Sequence, residues 1–230
     1  MFQVLLPGFA ERLKEYIPFV RVEVIGNVVP QYEEQADLLR EKETYKIVFV
    51  GRMVRNHKRP HLLIEAFIKI ASAFPNWILE LWGAEDNRRY QQELKNMAAK
   101  AGLHERIRFC GTTNDMPGVL CGCDLCVAPS AYEGFSLAYT EAMSMGLPLV
   151  GYKNCVSVSE LIRDGETGFL ADDGADALAE KMAILMRDRD LRVRMGAAAR
   201  ASMRAYAPEI IWDRWENLLQ ETAGQGSCST

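Results

Sequence analysis

Apolar positions along this chain fall into two alternating rhythms. Short apolar runs at 46–50, 77–82, 106–110, 123–128, 148–152 and 169–171 read as strands, and several stretches between them carry apolar residues three and four apart, as helices do. Pro60 opens a helix that gathers Leu63, Ala66, Phe67, Ile70 and Phe74 on one face, and Pro75 stops it. Asp86 or Asn87 caps a second, with Tyr90, Leu94, Met97, Ala98 and Ala101 inward and Gly102 at its end. Short helices are expected at 116–121 and 136–145, and Ser157-x-x-Glu160 reads as the capping box of another. Beyond the turn at 165–168 and the last strand the pattern is helical: 176–187, 190–206 and, opened by Pro208, 209–222. Repeated strand–helix units predict an α/β fold with a mostly parallel sheet, helices on both faces and a helical C-terminus. Ahead of it, a strand at 3–5, a helix at 10–17 and a strand at 21–25 stand apart from that sheet.

Composition adds exclusions. Hydrophobic residues make up 49% and charged residues 25% of the 230, ordinary values for a chain that buries a full core. A net charge of −4 gives no footing for nucleic acid, and no run of roughly 18 apolar residues is there to span a bilayer. The opening MFQVLLPGFAERLKEY lacks the basic start and long apolar region of a signal peptide, so a cytoplasmic location is expected. Cys121, Cys123 and Cys126 form C-x-C-x-x-C, a spacing that could serve zinc or an iron–sulfur centre. Alternate residues of a strand face opposite sides, however, and no second Cys or His cluster completes a ligand set, so no metal is expected there. Free thiols suit a reducing compartment.

The chemistry is concentrated in EGFSLAYTEAMSMGLPLV, residues 133–150. Glu133 and Glu141 stand eight positions apart across a Gly-containing turn and the helix after it, with Ser136 placed to cap that helix. The turn aims backbone N–H groups and the positive helix end at one point, which attracts an anion such as a diphosphate. The alternative is an acid–base pair like that of a glycosidase, whose carboxyl groups lie roughly 5 to 9.5 Å apart. A turn plus more than one helical turn puts this pair near or beyond that limit, which favours binding roles.

The full string, Glu-x7-Glu followed by Ala-Met, a small residue, Met-Gly, a spacer, Pro and an apolar strand, resembles the signature of group 1 (family 4) retaining glycosyltransferases. GRMVRNHKRPHLLIEAF at 51–67 resembles the basic donor-phosphate segment of the same family. ILELWG and IRFCG resemble its two strand-to-Gly turns beside the nucleotide, and CDLCVAPSAYEGF the strand leading to the first Glu. The resemblance runs from about Val24 to about Leu219 and implies the Rossmann-like C-terminal half of a GT-B fold. It divides the chain into 1–27, the end of an otherwise missing N-terminal acceptor-binding domain; 28–44, a linker; 45–207, the sugar-nucleotide domain; 208–222, a helix crossing back to the first domain; and 223–230, a disordered tail.

What the resemblance implies for function is metal-independent, retaining transfer from a nucleotide-diphosphate sugar, a UDP- or GDP-sugar, in polysaccharide, lipopolysaccharide or glycolipid synthesis. No cofactor is implied. Arg52 and Lys58 would grip the diphosphate in place of a metal; Asp172 and Asp173 are adjacent rather than spaced as Asp-x-Asp. Glu133, with the N–H groups of Gly134 and Phe135, would reach donor-sugar hydroxyls, and Glu141 the ribose hydroxyls. Ser136 and Leu137 would add N–H groups to the phosphate site, Gly51, Gly83 and Gly111 would let the nucleotide approach, and Thr112, with Thr113, would meet the base. Glu133, Arg52 and Lys58 are thus the catalytic candidates. His57 reads as a loop residue.

Three departures from the family pattern stand out: Ser136 where many members have a second Gly, WGAED at 82–86 in place of Gly-x-Gly, and YKNCVSVSE at 152–160 without the usual glycines. The full-length enzyme would sit in the cytoplasm, with peripheral association at the inner face of the membrane, and the apolar stripe of Ile211, Trp212, Trp215 and Leu218 would drive self-association of the fragment. Two rival functions are a GT-B sugar-nucleotide epimerase and a non-catalytic sugar-nucleotide-binding module.

Overall fold

The chain opens with a small parallel unit, strand β1 (Phe2–Val4), helix α1 (Pro7–Tyr16) and strand β2 (Val22–Val24), in a computed structural model that describes residues 1–225. Then come β3 (Tyr45–Val50), α2 (Pro60–Ile70), β4 (Trp77–Trp82), α3 (Arg88–Lys100), β5 (Ile107–Gly111), α4 (Met116–Cys121), β6 (Leu125–Ala128), α5 (Leu137–Ser144), β7 (Leu149–Tyr152), α6 (Val156–Leu161) and β8 (Gly168–Ala171). Helices α7 (Ala175–Arg187), α8 (Arg189–Met203) and α9 (Pro208–Gln225) complete the chain, so α9 runs past Thr222 and residues 226–230 of the expected tail lie outside the described residues. These elements match the hydrophobic rhythms to within a few residues.

The six strands after β2 form one sheet in the order β5-β4-β3-β6-β7-β8, and every pairing is parallel. Strand β3 shows how the core divides. Its Ile47 and Phe49 pack with Leu63, Leu94 and Leu178 of α2, α3 and α7, while Val48 and Val50 face the opposite way onto Leu120, Tyr139, Leu161 and Ala199 of α4, α5, α6 and α8. Each such buried side chain contributes roughly 1.5–3 kcal/mol. The chain builds outward from β3 to β5, returns to lay β6 beside β3, and builds outward again to β8.

The segment 28–44 has no helix or strand, yet it is fastened to the sheet domain. Val29, Ala36 and Leu38 are buried, Ala36 N donates to Met145 O at 2.7 Å, and the Arg200 guanidinium reaches the carbonyls of Tyr32 and Glu34 at 2.5 and 3.0 Å. Helix α9 lies over β2: Ile211 and Leu218 enclose Ile25, Arg214 Nη2 donates to Val24 O at 2.6 Å, and Arg21 pairs with Glu221 at 2.6 Å. Only part of its apolar stripe is covered, since Trp212 stays exposed.

Two expected caps do not form. Ser157 lies inside α6, whose N-cap residue is Cys155, and Glu160 instead accepts from Gly8 N at 2.7 Å. The unpaired N–H at the start of α1 takes the carboxylate that a local box would have used. Ser136 does not cap α5 either: it adopts a left-handed conformation, φ 35° and ψ 76°, and its Oγ is buried without a partner. Cys123 Sγ turns to Val119 O, and burial pushes the Cys126 thiol up to about 12. Among the described residues no three His, Cys, Asp or Glu side chains are placed to share a metal ion, and no helix is long and apolar enough to cross a membrane.

Candidate functional site

Because the sheet grows in opposite directions from β3 and β6, the loops leaving the carboxyl ends of these neighbours diverge and open a crevice, where open parallel sheets hold ligands. Two predicted residues meet here. Lys58, from the loop after β3, donates to Glu133 Oε1 at 2.5 Å, and Ser130 Oγ, from the loop after β6, donates to the same oxygen at 2.7 Å. The Lys58 and Glu133 side chains are 13% and 7% exposed, so solvent screens their attraction little. Gly51 lets the Lys58 stem lie this low: a Cβ there would come within 3.3 Å of its Cδ and Cε.

A buried support stands behind the pair. Ser130 Oγ lies 3.0 Å from the hydroxyl of Tyr139, and with the serine hydrogen spent on Glu133 it is Tyr139 that donates. Burial, and then the charge of Glu133, hold the Tyr139 hydroxyl protonated far above its usual range. The Lys58 ammonium also sits 5.1 Å over the Tyr139 ring.

His57 grips the same loop. Its carbonyl accepts from Ala131 N at 2.8 Å and its ring stacks on Tyr132, centroids 4.2 Å apart and planes within 3°. Its Nε2 is buried without a partner, 3.8 Å from Glu133 Oε2. Arg59 joins three loops. Its Nε donates to Pro129 O at 3.0 Å, Nη2 reaches Ser130 O at 3.5 Å, Nη1 pairs with Asp173 at 2.9 Å, and the guanidinium lies 4.7 Å over the Tyr152 ring.

Beside the pair, Gly51, Gly83 and Gly111 end three adjacent strands, linked by Gly51 N to Trp82 O at 2.8 Å and Gly83 N to Gly111 O at 2.7 Å. Arg52 is 65% exposed and reaches Asp86 at 3.3 Å; so exposed a contact is weak and readily exchanged for a better anion. Thr112 and Gly134 are exposed, while Thr113 Oγ1 is engaged by Asp115 N at 3.0 Å. The Phe135 side chain is core, packed edge-on to Tyr206, which leaves only its backbone for a ligand. Leu137 begins α5, whose first-turn N–H groups receive no side-chain cap. Glu141 lies farther along α5, half-buried, its carboxyl raised above the ordinary range by burial. Its charge in turn adds to the burial that raises the hydroxyl of nearby Tyr32.

The arrangement offers cations and uncapped helix N–H groups to an anion, and carboxylates to hydroxyls. Sequence reasoning missed Ser130, Tyr139 and Arg59 and set His57 aside. Ser130 carried a faint local signal, three residues before Glu133, whereas the others act across loops.

Comparison with known proteins agrees with this geometry. Residues 30–202 match the family model described as glycosyl transferases group 1. The chain is 30% identical over 203 residues, 87% of its length and 21% of the relative's, to an exopolysaccharide phosphotransferase of Streptomyces coelicolor. It is 36% identical over 148 residues, 61% of its length and 42% of the relative's, to the lipopolysaccharide core biosynthesis mannosyltransferase LpsB of Rhizobium meliloti. A crystal structure of a mutant S. aureus TarM in complex with fondaparinux, alpha-GlcNAc-glycerol and UDP superposes with a TM-score of 0.81 at 25% identity, over 94% of this chain and 43% of that one. The chain spans half or less of the length of these relatives.

Proposed function

Because the chain belongs to the group 1 glycosyl transferases, we propose that it is the donor-binding half of such an enzyme, which holds a nucleotide-diphosphate sugar for retaining transfer without a metal. The observation that carries this reading is the junction of Lys58 and Glu133 between the two strands at which the sheet reverses. A diphosphate leaving group gains negative charge as the anomeric C–O bond breaks, so donors already in place lower the barrier. Lys58, Arg52 and the uncapped N–H groups around Ser136 and Leu137 supply them, Arg52 as a planar fork and Lys58 as a point charge. Glu133 and the N–H groups of Gly134 and Phe135 take sugar hydroxyls, and Glu141 takes the ribose. The three strand-ending glycines leave room for the nucleotide.

Names among the relatives, a lipopolysaccharide core mannosyltransferase and an exopolysaccharide enzyme, support a role in surface polysaccharide or glycolipid synthesis. UDP in the similar TarM structure supports a nucleoside diphosphate ligand. Calorimetry with UDP, GDP, UDP-glucose and GDP-mannose in EDTA tests the proposal: at least one binds with the chelator present. Binding that appears only with magnesium or manganese overturns the metal-free reading, and no binding of any of the four overturns the donor-domain reading.

A further inference from the structure

We infer that His57 is a specificity-determining residue, which together with Glu133 Oε2 holds a single hydroxyl of the donor sugar. The inference rests on the donor-domain reading and goes beyond it in assigning a residue that carries no local signature of such a role. The two oxygens of Glu133 are not equivalent. Oε1 already accepts from Lys58 at 2.5 Å and from Ser130 at 2.7 Å, whereas the contact of Oε2 with His57 Nε2, at 3.8 Å, is too long for a hydrogen bond. His57 Nε2 is a buried polar atom without a partner, a state that costs free energy until a partner arrives.

These two atoms, 3.8 Å apart, suit one oxygen set to the side of the line between them. An oxygen roughly 2.8 Å from each makes a normal hydrogen bond to both. A carboxylate oxygen only accepts and an imidazole N–H only donates, so the group that fits must donate to one and accept from the other. A hydroxyl does both. A phosphate oxygen, bearing no hydrogen, would meet Oε2 with like charge. The imidazole is held for this task by stacking on Tyr132 and by the bond from Ala131 N to its own carbonyl, so its position does not depend on the missing partner. The hydroxyl therefore meets preset groups, and a sugar lacking it leaves His57 Nε2 buried and unpaired.

His57→Phe tests this, since it keeps a flat ring to stack on Tyr132 and removes only the N–H. Calorimetry in EDTA compares UDP with UDP-glucose, and GDP with GDP-mannose, on the wild-type chain, on His57→Phe and on His57→Gln, which restores an N–H donor. In the variant with phenylalanine the sugar nucleotide is expected to bind about tenfold more weakly while the free nucleotide is unchanged, and glutamine recovers part of the loss. With deoxy analogues of the donor sugar, removal of one particular hydroxyl costs the wild type about tenfold and His57→Phe almost nothing, because the two losses are the same interaction. Equal weakening of nucleotide and sugar nucleotide, or a deoxy penalty undiminished in His57→Phe, overturns the assignment and leaves the donor-domain reading intact. A wild-type chain that binds no member of the set overturns both.

Discussion

Gly83 turns its back on Gly51 so closely that a Cβ at 83 would lie 2.0 Å from the Gly51 carbonyl oxygen, at a φ of +149° that side chains avoid. Gly83→Ala is therefore expected to destabilise the fold by about 3 kcal/mol or more, read from denaturant midpoints. Glu141 carries the opposite kind of cost. Burial raises its folded-state pKa above the unfolded value, so its stabilising contribution is complete below about 4.5 and is lost as the pH rises through the folded pKa. Glu141→Gln, which resembles the protonated form, should melt at a higher temperature than the wild type at pH 7, and the gain should vanish as the pH falls toward 4.5. The same variant should bind UDP about ten- to a hundredfold more weakly if Glu141 takes the ribose hydroxyls. A residue that weakens the empty protein and strengthens the complex is the pattern expected of a binding group.

The loops show best how far single elements were legible. Met116–Cys121 and Trp77–Trp82 were read to the residue, because proline, glycine and apolar spacing act within one turn or strand. Ser136 and Ser157 do not cap their helices because a serine before a helix has several uses, and here a left-handed turn at one and the distant Gly8 amide at the other decided the outcome. Arg59 has no local signature at all. It holds a left-handed φ of 47° while its guanidinium gathers carbonyls and a carboxylate from two other loops. Arg59→Ala should lower stability by about 2–3 kcal/mol, since charged hydrogen bonds to buried carbonyls are lost. Hydrogen exchange should also quicken at Ala131, whose amide is bound to His57 O, while amides in the centre of β3 keep their protection in proportion to global stability.

At the scale of the molecule, the final helix and the opening βαβ unit form a shared patch: Ile25 is enclosed by Ile211 and Leu218, and Arg21 reaches Glu221. Phe19 and Trp212 remain exposed. Half or less of the length of the relatives is present, and transfer needs an acceptor held in line with the anomeric carbon in a cleft closed to water. The 230-residue chain is therefore expected to bind labelled donor yet transfer almost none of it to a matched acceptor extract, whereas a protein carrying the acceptor-binding part as well transfers readily. Comparable turnover by the two would mean that these residues already hold a complete active site.

By itself the sequence determined the succession of strands and helices and the faces they bury, and it pointed to Lys58 and Glu133, which the fold brings into contact. Those features are written in repeats of two and three to four residues and in one short string, and they need no knowledge of distant partners. Tertiary structure decided what met what: Lys58 with Glu133 across 75 positions, Glu160 with Gly8 across 152, Arg21 with Glu221 across 200. It also chose which oxygen of Glu133 was left free and left His57 Nε2 beside it without a partner. Such choices follow from the order of strands in the sheet and from competition among buried polar groups for few partners, and a hydrophobic pattern that repeats within a single element contains neither.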